Sequence, residues 1–160
     1  MEFLIDHWRF GDAAPQRHPA QLQKLQAGDW YHCQRDAEGL REWLLEQSIP
    51  SSVIESLLAE DTRPLFEQYD EQNFLLILRG VNLNDNADPA DMLSVRILYY
   101  HGALISTRKT PSKAISTVRA ALEAGQGPSN LAELIVRVVD ELNKKYRRLS
   151  RSNRRQNRSI

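Results

Sequence analysis

The feature that most limits the fold is a short unbroken run of apolar residues, Phe74–Leu78, the longest in the sequence. These five residues are too few to cross a membrane, which takes about 20. A run of this length is typical of a strand that is buried on both faces. Asn73 precedes it and Gly80 follows it, and both residue types commonly bound a strand. The run therefore predicts the central strand of a layered domain that contains both strands and helices.

Alternating and helical patterns predict the remaining elements. Strands are predicted at Phe3–Ile5, Asp29–Cys33, Met92–Tyr100 and Ala103–Thr107, with a tight turn at His101-Gly102. Helices are predicted to begin at an Asp36 cap, at a Ser52–Glu55 capping box, at Thr110-Pro111 and at Gly127–Ser129. Residues 15–26 are predicted to be a loop and residues 65–72 a polar spacer. Helices that precede and follow a sheet predict the α/β class, as an α/β/α sandwich with a mixed, partly antiparallel sheet between helical layers.

Length and composition fit one soluble domain. The chain has 160 residues, of which 41% are hydrophobic and 26% are charged, and this suffices for a single hydrophobic core. No stretch predicts a transmembrane helix, and no N-terminal segment resembles a signal peptide. Cys33 is the only cysteine, which excludes an internal disulfide bond and a cysteine metal cage. These features predict a cytoplasmic protein.

The net charge of zero conceals a strong asymmetry along the chain. Residues 143–160 hold eight Lys and Arg residues and no Asp or Glu, whereas residues 1–142 hold 13 basic and 21 acidic residues, a net charge of −8. One interpretation is a soluble module that binds nucleic acid or an anionic surface through residues 144–158. No aromatic residue follows Tyr146 to stack on bases, so a solvated helix end is the competing interpretation.

Motifs of the common enzyme classes are absent from the sequence. There is no Gly-rich phosphate loop, no Gly-x-Ser-x-Gly elbow and no His-Glu-x-x-His. His32 and Cys33 are adjacent, but neighbouring strand residues point to opposite faces and cannot pair as nucleophile and base. We expect a buried Cys33 beside a half-exposed His32. No catalytic residue is therefore predicted.

Two acidic groups are candidate metal ligands. Asp85, Asp88 and Asp91 recur at every third residue in a segment rich in turn formers. This spacing lacks the Gly and the terminal Glu of a calcium loop, so a solvated turn is the alternative. Glu60 and Asp61 form the second group, for which a helix end with a local ion pair is the alternative.

Five short motifs occur in an order and spacing similar to those of a known family. They are Leu-Ala-Glu-Asp-Thr-Arg-Pro (58–64), Leu-Arg-Gly-Val-Asn (78–82), Met-Leu-Ser-Val-Arg-Ile (92–97), Leu-Ile-Ser-Thr-Arg (104–108) and Glu-Ala-Gly-Gln-Gly-Pro (123–128). Through these motifs the chain resembles the cytoplasmic domain of CorA-type divalent-cation transporters, and within that family the ZntB-like zinc-transporter branch. The resemblance implies a CorA/ZntB-like domain over residues 1–149. Composition predicts a basic, disordered tail over residues 150–160.

The resemblance implies a role in divalent-cation transport without catalysis by this chain. It implies zinc in preference to magnesium as the transported or regulatory ion, and no other cofactor is expected. It also implies a homopentamer for the whole transporter, a position at the cytoplasmic face of the inner (plasma) membrane, and no nucleic-acid partner. The stalk and the two transmembrane helices of the family, with their Gly-Met-Asn motif, do not occur in this sequence. We therefore expect a fragment of a transporter or a stand-alone soluble relative.

One departure from the family bears on the ion. In magnesium-transporting relatives, an acidic residue follows the Glu of the helix before the Arg-Pro motif, and it helps to hold a regulatory ion between subunits. Here Glu55 is followed by Ser56. The resemblance therefore does not imply a regulatory magnesium site at this position, which favours the zinc branch.

Overall fold

Residues 3–18, 24–60, 63–81 and 92–158 are described by the computed structural model, in which they form one sheet and four helices. The strands are β1 (Leu4–Arg9), β2 (Gln16–Arg17), β3 (Asp29–Gln34), β4 (Leu65–Gln68), β5 (Phe74–Val81), β6 (Met92–Tyr100) and β7 (Ala103–Arg108). The helices are α1 (Leu40–Glu46), α2 (Ser51–Leu58), α3 (Lys113–Glu123) and α4 (Leu131–Arg158).

The sheet is mixed, as predicted. Its strand order is β2-β1-β3-β7-β6-β5-β4. β3 and β7 are parallel, whereas every other neighbouring pair is antiparallel. β4 to β7 follow one another across the sheet as a meander, because antiparallel neighbours can be joined by short turns. The parallel pairing of β3 with β7 joins this meander to the β1–β3 part of the sheet.

Helices cover both faces of the sheet, and each face has its own hydrophobic core. On one face, α1 and α2 bury Trp43 and Ile54 beside Leu75 of β5. On the other face, α3 and α4 bury Val118 and Leu134 against the sheet. This arrangement confirms the predicted α/β/α sandwich.

The apolar run Phe74–Leu78 lies in β5, which is not the centre of the sheet. β5 is the second strand from one edge, and β7 occupies the central place between β3 and β6. Leu75 and Ile77 are buried, but the residues that alternate with them are only half-buried. The prediction of a central strand is therefore wrong. A run of apolar residues predicts burial, but it does not predict which strands lie on either side.

Two strands lie in segments that were predicted to lack them. β2 pairs with β1 within the predicted loop, and β4 pairs with β5 as an exposed edge strand within the predicted spacer. β5 also continues through Gly80, which was predicted to end it. A Cβ atom at Gly80 would lie 2.6 Å from Leu142 Cδ2. The missing side chain at this position lets α4 lie close to β5.

The first three helices begin at residues other than those predicted. Pro50 is the N-cap of α2, which has no side-chain capping bond. Glu55 pairs instead with Arg41 of α1, so the predicted Ser52–Glu55 capping box is wrong. Two further helices begin a few residues later than predicted, α1 after Gly39 and α3 after Ser112.

α4 begins at Leu131, just after the predicted start at Gly127–Ser129, and extends further than predicted. Asn130 Oδ1 accepts a hydrogen bond from Glu133 N–H at 2.9 Å, and the Glu133 carboxylate accepts one from Ser129 N–H at 2.9 Å. The helical backbone continues to Arg158, past the predicted boundary at residue 150. Residues 150–158 contain no Gly or Pro, and Arg and Gln are good helix formers, which favours this continuation.

Candidate functional site

A fully buried carboxylate joins the first and third strands. Asp29 has no exposed surface. Arg9 Nε and Nη2 donate to its Oδ1 and Oδ2 at 2.9 and 3.0 Å, and His7 Nε2 lies 2.7 Å from Oδ2. Burial alone would raise the pKa of Asp29, but the hydrogen bonds from Arg9 and His7 outweigh burial and lower this pKa. The carboxylate is therefore ionised at neutral pH and fixes the orientation of His7.

Asp6 of β1 is the second buried carboxylate. It accepts hydrogen bonds from Trp8 Nε1 at 2.8 Å, Arg17 Nε at 3.0 Å and Arg119 Nε at 2.9 Å. Burial alone would raise the pKa of Asp6, but these hydrogen bonds and the two guanidinium charges lower it. Because Arg119 belongs to α3, the carboxylate ties the sheet to the α3–α4 layer. We assign Asp6 a structural role.

Sequence reasoning missed both carboxylates. The one signal for Asp29 was its place before the aromatic residues of a predicted strand, Asp29-Trp30-Tyr31, whereas Asp6 lay outside the predicted strand Phe3–Ile5. A charge in such a strand is buried only when it is paired. The partners of Asp29 are 20 and 22 residues away, and Arg119 is 113 residues from Asp6. Such pairings are set by the order of the strands, which the sequence pattern does not reveal.

Two histidines lie together next to Asp29. His18 N–H donates to His7 O at 2.7 Å, and the two ring centres are 5.2 Å apart with an angle of 36° between the ring planes. The His7 ring also stacks on Tyr31 at 4.3 Å. His7 Nδ1 is buried and has no hydrogen-bond partner among the described residues. His7 therefore has an unused ring nitrogen beside a second imidazole.

His32 and Cys33 lie on opposite faces of β3, as predicted. Cys33 belongs to the α1–α2 core, where burial raises the pKa of its thiol. His32 Nδ1 lies 2.7 Å from Ser106 Oγ on the other face, and His32 has no exposed surface. The expectation of a half-exposed His32 is therefore wrong. Burial, aided by the charges of Arg108 and Arg119, lowers the pKa of His32 to about 3, so this side chain is neutral at pH 7.

A buried arginine anchors the segment that leads to the predicted metal ligands. Arg96 of β6 has no exposed surface, and its Nη1 and Nη2 donate to Leu57 O at 2.9 Å and to Glu60 O at 3.5 Å. These carbonyl groups lie at the C-terminus of α2, where the helix dipole favours a cation. Burial, followed by the charge of Arg35, lowers the pKa of Arg96 to about 10. Arg96 is thus still charged at pH 7 and fixes the end of α2.

One of the predicted metal ligands lies in the described part of the chain. Glu60 follows α2 and is exposed. The other four, Asp61, Asp85, Asp88 and Asp91, lie outside the described residues. Among the residues that the structure describes, no three His, Cys, Asp or Glu side chains are close enough together to hold a metal ion. The five candidates stay predictions.

Glu55 and Ser56 of α2 stand where the magnesium-transporting relatives have the Glu and the acidic residue that follows it. Glu55 pairs with Arg41, and Ser56 Oγ donates to Ser52 O at 3.2 Å. Magnesium is held mainly by free carboxylate oxygens and water. A carboxylate that is paired with an arginine, next to a serine that bonds within its own helix, does not offer that set of ligands.

α4 carries the basic end of the chain. Lys144 Nζ lies 3.6 Å from the carboxylates of Asp140 and Glu141, and such pairs contribute little where they are exposed to water. Seven more basic residues follow between Lys145 and Arg158. Across the described ranges, no helix combines the length and the apolar character that a membrane span requires.

Comparison with known proteins identifies a family of transporters. The family model described as "CorA-like Mg2+ transporter protein" matches residues 26–160. The zinc transport protein ZntB of Vibrio parahaemolyticus is 46% identical over 145 residues, which are 91% of this chain and 46% of that protein. The divalent cation transporter CmaX of Pseudomonas aeruginosa is 36% identical over 107 residues, which are 66% of this chain and 32% of that protein. The chain thus spans less than half the length of these relatives.

Solved structures agree with the sequence comparison. The cytoplasmic domain of ZntB from Vibrio parahaemolyticus matches with a TM-score of 0.91 and 43% identity, over 95% of this chain and 62% of that chain. Full-length CmaX matches with a TM-score of 0.87 and 27% identity, over 99% of this chain and 51% of that chain. The magnesium transporter CorA of Methanocaldococcus jannaschii, at 14% identity and a TM-score of 0.71, shares the fold. The chain therefore belongs to the CorA-like transporter family, and its resemblance to the cytoplasmic domain of the ZntB-like branch is confirmed.

Proposed function

We propose that this chain is the cytoplasmic domain of a ZntB-like divalent-cation transporter that carries zinc in preference to magnesium. It would lie at the cytoplasmic face of the inner membrane and regulate a pore formed by other segments, without catalysis of its own. The observation that carries the proposal is the match to the solved ZntB cytoplasmic domain, with a TM-score of 0.91 over 95% of the chain.

An acidic segment of the chain supports a role in handling cations. Residues 36–91 hold 13 Asp and Glu residues and three Lys and Arg residues, a net charge of −10. Of these acids, Glu38, Glu42 and Glu46 are exposed on the α1–α2 layer. A surface of one sign raises the local concentration of counter-ions. This surface would therefore concentrate divalent cations on the outer side of the α1–α2 layer.

The preference for zinc is supported by the pairing of Glu55. In the magnesium-transporting relatives, an acidic residue that follows the Glu of this helix helps to hold a regulatory ion between subunits. Here Arg41 neutralises Glu55, and Ser56 adds no charge. A regulatory magnesium ion would find neither carboxylate at this position, so we propose that magnesium does not regulate this domain through α2.

The length of α4 supports assembly with further copies of the chain. The helix has 28 residues, or about 42 Å at 1.5 Å per residue. Leu134 and Val138 in its first half pack on the sheet, and its backbone continues to Arg158. A helix that extends beyond the core it packs on offers surface to neighbouring copies. We propose that the whole transporter is a homopentamer with α4 in its assembly contacts.

Calorimetric titration with zinc and with magnesium, run beside sedimentation velocity at several protein concentrations, tests this role. We expect zinc to bind and to increase the proportion of the associated form, and magnesium to do so less. The double variant Glu60→Gln, Asp61→Asn tests whether the predicted ligands contribute, because amides are poorer ligands than carboxylates. Absence of both binding and association would contradict the regulatory role, and a stronger response to magnesium would contradict the ion preference.

The alternative role of residues 144–158, in binding nucleic acid or an anionic surface, receives no support from the comparisons. The relatives reported above are cation transporters. We therefore propose no nucleic-acid partner for this chain.

A further inference from the structure

The two histidines beside Asp29 are directly opposite one another on paired backbone. Trp8 pairs with Arg17 and Arg9 pairs with Gln16 in the antiparallel β1–β2 ladder. The hydrogen bond from His18 N–H to His7 O, 2.7 Å long, extends this register by one residue. Directly opposed residues of an antiparallel pair present their side chains on the same face. The backbone therefore holds the two imidazoles side by side.

The separation of the rings fits a shared metal ion. Their centres are 5.2 Å apart, with an angle of 36° between the planes. Zinc binds imidazole nitrogen at about 2.0–2.1 Å in tetrahedral geometry, which places the centres of two imidazoles that share one ion roughly 5 Å apart. The observed separation of the ring centres therefore matches that of two imidazoles on one ion.

The surroundings of His7 prepare one of its nitrogens as a ligand. His7 Nε2 lies 2.7 Å from Asp29 Oδ2, so Nε2 carries the proton that it donates to this ionised carboxylate. The lone pair is then on Nδ1, which is buried and unpartnered among the described residues. A buried polar atom without a partner is costly and rare. A carboxylate that accepts from the second nitrogen is the usual support of a metal-bound histidine.

His18 is suited to the same task. It is half-buried, and its ring lies against that of His7. A neutral imidazole is the form that binds a metal ion. The proton of the neutral ring can be on either nitrogen, so His18 can present a lone pair towards His7.

We propose that His7 Nδ1 and one ring nitrogen of His18 bind a divalent transition-metal ion of the zinc class, with Asp29 as the positioning residue for His7. Two histidine ligands leave the remaining coordination positions to water, so the ion exchanges readily. Nitrogen ligands select zinc over magnesium, which requires oxygen ligands. Both histidines precede residue 26, where the match to the family model begins. The proposed site shares no residue with the five candidate metal ligands named above.

Calorimetric titration of the full chain with zinc chloride and with magnesium chloride tests the site, with His18→Asn as the variant. The matched control is His101→Asn, because His101 is exposed in the β6–β7 turn at φ 49° and asparagine tolerates that conformation. We expect His18→Asn to weaken the tightest zinc binding at least tenfold relative to the parent chain. His101→Asn should leave zinc affinity unchanged, and His18→Asn should leave the magnesium titration unchanged. Unchanged zinc affinity in His18→Asn would overturn the proposal.

A second measurement does not depend on a variant. Long-range 1H–15N spectra of the histidine rings report which nitrogen atoms bind zinc. We expect zinc to shift Nδ1 of His7 and one nitrogen of His18, while His32 stays unchanged in the core. Zinc-induced shifts confined to His101 would overturn the proposal. Zinc-dependent association that persists in His18→Asn would leave the regulatory role intact, so failure of one proposal is distinguishable from failure of the other.

Discussion

Buried His32 shows how a single residue makes the stability of this fold depend on pH. Its Nδ1 contacts Ser106 Oγ on the α3–α4 side of the sheet, and the ring has no exposed surface. Burial, with the nearby charges of Arg108 and Arg119, lowers its pKa from 6.5 to about 3. The folded protein therefore keeps His32 neutral at pH values where the unfolded chain protonates it.

We predict that the free energy of unfolding falls as the pH is lowered from 6.5. In this range the unfolded chain binds a proton at His32 that the folded protein does not bind, which costs up to about 1.4 kcal/mol per pH unit. His32→Gln removes the titrating group and should flatten the dependence. Urea unfolding at pH 7.0, 6.0 and 5.0 measures this pH dependence. These pH values lie above the range in which Asp6 and Asp29 protonate.

The control for this prediction is His101→Asn, since His101 is exposed at φ 49° and asparagine tolerates that conformation. It should keep the pH dependence of the parent chain. The same pH dependence in His32→Gln as in the parent would show that the buried histidine is not the cause.

At the scale of elements, the β6–β7 hairpin connects the two cores. His101 and Gly102 have φ values of 49° and 83°, which both lie in the left-handed region, as in the tight turns that suit the twist of a hairpin. Gly102 O also accepts a hydrogen bond from Gly28 N–H at 2.8 Å. A Cβ atom at Gly102 would lie 2.9 Å from Ala27 Cβ. The turn therefore requires glycine both for its backbone conformation and for its contact with the segment before β3.

We predict that Gly102→Ala lowers the free energy of unfolding by about 1–2 kcal/mol, since a left-handed alanine is strained and the new methyl group meets Ala27. Gly11→Ala is the matched control, because a Cβ atom at Gly11 would meet nothing within 4 Å. Urea unfolding of both variants checks this. Equal and small effects of the two substitutions would contradict the role of the turn.

The elements were more predictable from the sequence than their arrangement was. The alternation in Met92–Tyr100 and the His101-Gly102 turn are local signals, and the hairpin they predict is present. The place of β5 in the sheet and the pairing of β3 with β7 depend on contacts distant in sequence, which no local pattern records. The capping box at Ser52 failed because Pro50 already starts α2. Local chemistry therefore predicts what an element is, but not always which residue begins it.

The candidate sites show the same difference between local signals, which the sequence reveals, and contacts between distant residues, which it does not. The opposite faces of His32 and Cys33 follow from strand geometry alone, and the structure agrees. The pairing of His7 with His18 requires β2, a two-residue strand within a predicted loop. The partners of Asp29 in turn require the neighbouring β1. A site built across strands is visible only once the register of those strands is known.

At the scale of the whole molecule, charge is separated along the chain. Residues 36–91 carry a net charge of −10, and residues 143–160 carry eight basic residues and no acidic ones. Of the described acids, Glu38, Glu42 and Glu46 are exposed on the α1–α2 layer, while the basic residues 144–158 belong to the C-terminal part of α4. Attraction between an acidic surface and a basic helix of neighbouring copies would fall with added salt. We propose that this separation of charge contributes to the assembly and the cation handling proposed above.

The most direct test of that account is zinc uptake by a chimera in which this chain replaces the cytoplasmic domain of the Vibrio parahaemolyticus zinc transport protein, which is 46% identical to it over 145 residues. Uptake into membrane vesicles is measured for the chimera, for the parent protein and for the parent without a cytoplasmic domain. The account predicts zinc uptake by the chimera above that of the protein without the domain, and little uptake of magnesium. A chimera that inserts and assembles but takes up no more zinc than the protein without the domain would contradict it.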